Sequence, residues 1–524
     1  MFPIRQFAGR LAIIIPMLLL SPSLTSAASA STENEIVVTS LSNDFVKNGN
    51  CTLVEAVVAA RDNIAEDACP AGISGLDIIT FRVHGTIFLT EPLSIYTGGP
   101  LVIDGGGAIT ISGNHTVTVI GVSYPVDFTL QNLTVADGWS ANGRGGGLHI
   151  SSSTVTIYNT TFTGNSSYME GGGIFNDSGS LIIVNSTFSG NDGMDGGAIF
   201  NYYGKNMEIS NSVFVGNHTN KASRIGGAIV SFYSTLTITN STFSGNQATK
   251  GAGLYDSGDL ATISNTTFTN NIADLGRDLY AYNYFGSVNT MTIVNSTFAD
   301  SSSSSGGAIY NENSLTLYNT IVANAQSGEN CAGPVAITDG GHNIDNGSSC
   351  GFSPANGSMN NTDPLLGSLG NYGGSTPTMP ILPGSPARDN ADPLHCLATD
   401  QRGASRKGTC DIGAYELYGT ITALSSSPNP SIFGKPITLT ATVVEGDSGT
   451  PTGKVTFTSG TLTLGSADLN PSAIATLVID TLPVGNHLIT ASYDGDSIFA
   501  ASISSAVKQT VNLQVFLPAV VRKN

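Results

Sequence analysis

The side chains best suited to chemistry in this sequence are its carboxylates, and they are sparse. Asp192 and Asp195 share one turn and Asp256 and Asp259 another, with Arg144, Lys205, Lys250 and Arg277 scattered between them. Calcium-assisted elimination on a polysaccharide needs clustered carboxylates for the metal and a base for the proton, while hydrolysis needs two acids flanking the scissile bond. Neither set is complete here. The seven histidines are dispersed and suggest neither a metal site nor an acid–base pair. The six cysteines fall into local pairs, Cys51 with Cys69, Cys331 with Cys350 and Cys396 with Cys410, at spacings that fit no common zinc pattern. Several connectivities are open to such a set, and nearest-neighbour disulfides are expected. No residue is assigned to catalysis, cofactor binding or metal coordination.

These residues sit on a repeat. Between Gly145 and Ala325 a unit of about 25 residues recurs. Its first part is Gly-Gly-(Ala/Gly)-(Ile/Leu), as in Gly171 to Ile174, Gly196 to Ile199 and Gly226 to Ile229, with a degraded copy at Gly276-Arg277-Asp278-Leu279. Its second part is apolar-x-apolar-x-Asn-x-x-Phe-x-x-Asn, as in Leu181, Ile183, Asn185, Phe188 and Asn191. Strict alternation puts the two apolar residues and the first Asn on one inward face of a strand. Stacked coils then bury aliphatic columns and a Phe column. Asn159, Asn185, Asn211, Asn240, Asn265, Asn295 and Asn319 are expected to form an inner amide ladder along the axis. The Asn-x-Ser/Thr triplets built on these residues are read as structural, because an inward Asn could carry no glycan. Roughly a dozen coils at ~4.8 Å rise would make a rod on the order of 60 Å long.

The residue after each Gly-Gly-Ala-Ile points outward on the same reading. Phe175, Phe200, Tyr255, Tyr280 and Tyr310 then form an exposed stripe, with His149 and Val230 in line and Tyr202, Tyr203, Tyr282, Tyr284 and Phe285 nearby. Aromatic side chains in a row can stack on sugar rings or dock a partner. The competing reading is that they only cover a sheet face beneath loops.

The Gly-Gly-Ala-Ile and Phe-x-x-Asn tetrapeptides resemble the repeats of the polymorphic outer-membrane proteins, which implies a right-handed parallel β-helix displayed on a cell surface. Repeats six and seven depart from the pattern, with Ser301 and Ala325 at the final Asn. Cys51-Thr52-Leu53-Val54-Glu55-Ala56 resembles the Cys-Ser-Leu-Arg-Glu-Ala motif that opens many secreted β-helix proteins, and Thr52 to Glu55 also reads as a helix capping box. Leu53, Ala56, Val57, Ala60 and Ile64 have the spacing of one helix face. Thr362-Asp363-Pro364-Leu365-Leu366-Gly367, Asn371-Tyr372-Gly373-Gly374, Gly384-Ser385-Pro386-Ala387, Asp400-Gln401-Arg402-Gly403 and Asp411-Ile412-Gly413-Ala414-Tyr415-Glu416 resemble the choice-of-anchor Q module. That resemblance implies surface anchoring and no chemistry. Pro451 to Phe457, Leu482 to His487 and Tyr493 to Asp496 resemble bacterial Ig-like repeat domains, which implies a stalk or spacer.

The expected order is a signal peptide at 1–30, an N-terminal cap at 31–75, a parallel β-helix at 76–350 and a choice-of-anchor Q-like closing module at 351–416, then a bacterial Ig-like domain at 417–513 and a tail at 514–524. The fold class is all-β, a right-handed solenoid followed by an Ig-like sandwich. Arg5 and Arg10 flank the apolar run Leu11 to Leu20 ahead of Ala28-Ser29-Ala30, the pattern of a secretory signal. Its removal leaves 18 basic residues (20 less Arg5 and Arg10) against 38 acidic ones, or −20. Nucleic acid is excluded as a partner by that sign, and uronic-acid polymers are disfavoured. No transmembrane span is expected in the mature chain, and a monomer is expected. The reading is an exported surface structural or adhesive protein that binds carbohydrate or a cell-surface protein. The alternative is a secreted polysaccharide lyase or glycosidase on the same scaffold.

Overall fold

A computed structural model of the chain describes residues 33–513 apart from 97, 142, 220–223, 284–288, 302–305, 324–328, 407 and 446–449. The signal segment, the C-terminal tail, Tyr284 and Phe285 lie outside the described residues.

Two-residue alternation in each repeat produces short strands, and each strand pairs in parallel with its counterpart one repeat later. Thr154–Tyr158 pairs with Ser180–Val184, which pairs with Asn206–Ser210, and the series runs on to Ser314–Tyr318. The register stacks Val155, Leu181, Met207, Leu236, Ala261, Met291 and Leu315, each at most 1 % exposed. The rings of Phe162, Phe188, Phe214, Phe243, Phe268 and Phe298 stack 4.7–5.0 Å apart and within 10° of parallel. A ten-stranded parallel sheet lines another side of the solenoid. Gly pairs make the corner before that sheet. Gly171 has φ +70°, and a Cβ on Gly172 would lie 2.4 Å from the carbonyl oxygens of Asp192 and Gly197.

The inner ladder is not the one expected. Asn159, Asn185, Asn211, Asn240, Asn265, Asn295 and Asn319 all adopt left-handed backbone, with φ between +46° and +50°. That conformation ends the alternation, so the next residue faces inward instead. Asn159 and Asn185 are exposed, and their triplets are therefore not protected by burial. The following hydroxyls make the inward contact: the Thr160 amide donates to Ser186 Oγ at 3.2 Å, Ser186 to Ser212 at 3.1 Å and Ser212 to Ser241 at 3.2 Å.

The amide ladder runs through the second Asn of each repeat. Asn165, Asn191, Asn217, Asn246 and Asn271 are fully buried. Each Oδ1 from Asn191 to Asn271 accepts both the backbone N–H and the side-chain Nδ2 of the Asn one coil earlier, at 2.9–3.1 Å. The second Nδ2 proton goes to a backbone carbonyl, as from Asn191 to Phe162 at 3.0 Å and from Asn217 to Phe188 at 2.9 Å. Every donor and acceptor of these amides is used.

The degraded sixth motif compensates for the end of this ladder. Ser301 Oγ still accepts the Asn271 amide at 3.1 Å but does not take its Nδ2, and Asp278 lies where other repeats carry Gly or Ala. Its Oδ1 accepts Asn271 Nδ2 at 2.8 Å and Ser301 Oγ at 2.6 Å. Burial pushes the Asp278 carboxyl up to about 6. A second interior polar row holds Asn176 and Asn201, joined at 2.6 Å, then Ser231 and Asp256 in register. Burial pushes Asp256 up to about 7.

At the N-terminal end, helix α1 (Leu53–Asp62) carries the capping box, with Thr52 and Glu55 bonded reciprocally. Leu53, Ala56, Val57 and Ala60 are buried and pack on Asn34–Val38, Asp77–Phe81 and Leu93–Ile95. Ile64 leaves that face and is exposed, because the helix ends at Asn63 in left-handed backbone. The cysteines pair as Cys51–Cys69, Cys331–Cys350 and Cys396–Cys410.

At the other end, Met359–Asn360 pairs with Ile344–Asp345, and Phe352 and the Cys331–Cys350 bridge join the solenoid core. The segment after it does not lie across the end; it runs back along the flank, where the corner Asn residues receive it. Thr376 Oγ1 donates to the Asn240 carbonyl at 3.0 Å, Asn265 Nδ2 to the Thr399 carbonyl at 2.8 Å, and the Asp392 amide to Asn319 Oδ1 at 2.7 Å. Gln401 bridges Thr242 and Thr267 of adjacent coils at 2.9 and 2.6 Å. Within this strap, Arg402 pairs with Asp400 at 2.7 Å and Arg406 with Glu416 at 2.9 Å, all four side chains nearly inaccessible. Two antiparallel sheets follow, built from strands between Thr420 and Asn512 around Leu439, Phe457 and Tyr493. The Tyr415 hydroxyl donates to the Ser497 carbonyl and joins strap to sandwich.

Asn217→Ala strands partners on two coils and is expected to cost about 3 kcal/mol or more, whereas Asn159→Gly, at an exposed left-handed corner, changes stability by less than about 1 kcal/mol; chemical unfolding of both variants compares them. Asp256 and Asp278 have folded-state values above the unfolded one, so their stabilising contribution is complete below about pH 4 and is lost as pH rises through about 6 and 7. The melting temperature is expected to fall between pH 5 and pH 8, and to fall less in Asp256→Asn, Asp278→Asn; parallel pH profiles would show these carboxyls to be irrelevant.

Candidate functional site

The ten-stranded sheet presents one outward column to the surface, Ser94, Gly121, His149, Phe175, Phe200, Val230, Tyr255, Tyr280, Tyr310 and Ala332, fixed by the parallel register. Alternation places the expected stripe on this side. The stripe is not exposed, however. Phe175, Phe200, Tyr255 and Tyr280 are buried and only Tyr310 is half-buried, because Tyr202, Phe232 and Tyr282 from the next outward position pack over them with Ile225 and Leu275 from the turns. The column is a second small core outside the solenoid. Tyr255 and Tyr280 stack at 5.0 Å, Tyr280 and Tyr310 at 4.8 Å, and the Tyr280 hydroxyl donates to Glu312 at 2.6 Å. Burial holds the Tyr255 and Tyr280 phenols well above the usual range.

The face opens in two places. One is the turn after the sheet, where Ser152, Ser178, Tyr203 and Tyr233 all adopt φ between +49° and +61°. Tyr203 and Tyr233, on adjacent coils, stack at 4.6 Å and 8° from parallel, with Tyr203 51 % exposed. The other is the N-terminal end of the column, where Ser94 and Gly121 are too small to continue the aromatic packing. A groove of about 340 Å³ lies there, lined by Pro92, Ser94, Tyr96, Thr118, Gly121, Val122, Ser123, His149 and Ser151. Arg61 of α1 covers the Tyr96 ring at 4.7 Å, and His149 packs edge-on against Phe175 at 5.3 Å. Burial lowers the His149 pKa and favours the neutral ring.

The scattered charges serve the scaffold. Asp195 accepts the Ile225 amide at 3.0 Å and lies 3.5 Å from Arg224, while Asp192 lies 3.9 Å from His218. Asp256 and Arg277 are buried, Lys250 sits over the Tyr280 ring at 5.2 Å, and Arg144 pairs with Glu170 at 2.6 Å while covering Phe175. Asp363 accepts the Leu365 amide at 2.9 Å, and His342 Nδ1 lies 2.6 Å from the Asn390 carbonyl. No group of three or more His, Cys, Asp or Glu that could hold a metal occurs among the described residues. Gly121 and Tyr96 do not stand out in the sequence, because both precede the first complete repeat. The available signal was a glycine inside a strand, away from any Gly-Gly corner.

Comparison with known families divides the chain as its geometry does. Residues 94–268 match the right handed beta helix region, and residues 265–312 match the Chlamydia polymorphic membrane protein repeat. Residues 424–512 match the bacterial Ig-like domain, group 3. No curated protein matches the chain. The chain is thus a right-handed parallel β-solenoid with repeats similar to those of the Chlamydia polymorphic membrane proteins, followed by an antiparallel unit similar to bacterial Ig-like domains.

Proposed function

We propose that this is an exported, surface-displayed adhesive protein whose solenoid presents a carbohydrate-binding face and whose Ig-like unit is a spacer. The observation that carries the reading is the Tyr203–Tyr233 pair. A tyrosine in left-handed backbone costs about 1 kcal/mol or more, and two earlier coils fill the same turn with Ser152 and Ser178. Two stacked phenol rings at a surface edge offer the flat apolar area and hydroxyls that suit a sugar. Support for export comes from six cysteines joined in three disulfides, from the N-terminal signal pattern and from the similarity to membrane-protein repeats. The resemblance of the strap to an anchoring module agrees with display at a surface.

Two measurements test this. A tagged chain on intact cells is expected to be digested by added protease, and the purified protein to bind immobilised oligosaccharides. Full protection from protease, or an array with no bound oligosaccharide, would overturn the proposal. Turnover of pectin or alginate with calcium present would replace it with the lyase or glycosidase reading.

A further inference from the structure

Gly121 has no backbone reason to be glycine. Its φ lies outside the left-handed region, and a Cβ built there meets nothing nearer than the Leu93 carbonyl oxygen at 4.0 Å. The corner glycines differ sharply, since a Cβ on Gly146 would lie 2.2 Å from the Ser166 carbonyl. Later coils fill the same outward position with Phe175, Phe200, Val230 or Tyr255, and those side chains close the face. Only the groove gains from the missing side chain. What lines it is chemically consistent: one phenol, one imidazole and the hydroxyls of Ser94, Thr118, Ser123 and Ser151, with no Asp, Glu, Lys or Arg. The volume is at the small end of ligand sites, which run from about 300 Å³ upward.

Resting on the carbohydrate reading above, we propose that the Gly121 groove is a subsite for one uncharged sugar ring, packed against Tyr96 and His149 and hydrogen-bonded by the surrounding serines and threonine. Neutral residues are preferred over uronates, because no cation lines the groove, the nearby Arg61 already gives its guanidinium to Asp62, and the chain carries 38 acidic against 20 basic residues. Ser151 and Tyr202 occupy the same outward position two coils apart, through Asp177, or about 10 Å along the axis. A bound chain running along the solenoid therefore reaches from the groove toward Tyr203.

The test uses full-length protein on an array of neutral gluco-, manno- and galacto-oligosaccharides, with uronate oligomers of equal length beside them. Gly121→Phe, a residue the column accepts at two other coils, is expected to keep the wild-type melting temperature and weaken neutral-sugar binding at least tenfold. Gly121→Val gives the same reading should the larger residue unfold the coil. Undiminished binding by the folded variant overturns the groove, and binding lost instead in Tyr203→Ser, Tyr233→Ser leaves the carbohydrate reading intact without it. Uronates bound more tightly than neutral sugars overturn the ligand class. Failure of wild type to bind any oligosaccharide removes both proposals.

Discussion

Each coil can bury a polar side chain only if its neighbour satisfies it. The amide ladder from Asn165 to Asn271 meets that condition with one residue per coil, since each Oδ1 from Asn191 onward takes two donors from the coil before and each Nδ2 returns one bond to a carbonyl. An unpaired buried amide is expensive enough that the coils have one acceptable register. Given that register, the Phe rings must stack and the aliphatic columns must align. Where the ladder loses its Asn at Ser301, the serine hydroxyl keeps the bond from the Asn271 amide and a carboxyl from a different part of the coil takes the one from Nδ2, so the substitution at 301 and the one at 278 make physical sense only together.

Much of this fold is legible in the sequence. The spacing of Leu181 and Ile183, the Phe column and the capping box at Thr52 are local patterns with one physical solution each. The place of the ladder is hidden in the sequence because alternation does not continue through the corner. Asn is the non-glycine residue most tolerant of left-handed backbone, and a Ser or Thr follows every corner Asn; together these were the signal that the pleat reverses there. Alternation gives the outward direction of the aromatic column but not its cover. Its cover comes from the turns and from the residue two positions on, and strand periodicity carries no information about how far a turn folds back.

The strap was the least predictable element. Its motifs read as a closing module, and nothing local to them shows which surface they meet. The receiving surface is clearer in retrospect: Thr242, Thr267 and Thr297 form an outward row of short hydroxyls without charge, and all three are buried. Within the strap, two buried Arg–carboxylate pairs, Arg402 with Asp400 and Arg406 with Glu416, hold its own turns together, and Arg406 also donates to Asn265 Oδ1 at 3.4 Å. Such pairs add little net stability, but removing one partner is severely disruptive, so they fix one conformation of the strap itself.

Because the strap grips corners from Asn240 to Asn319 and joins the sandwich through Tyr415, the Ig-like unit is fastened to the side of the rod. Tension drawn through it is shared among several rungs as shear. A tether fixed to the last rung alone would concentrate the same pull on one pair of strands and peel the rungs away in turn.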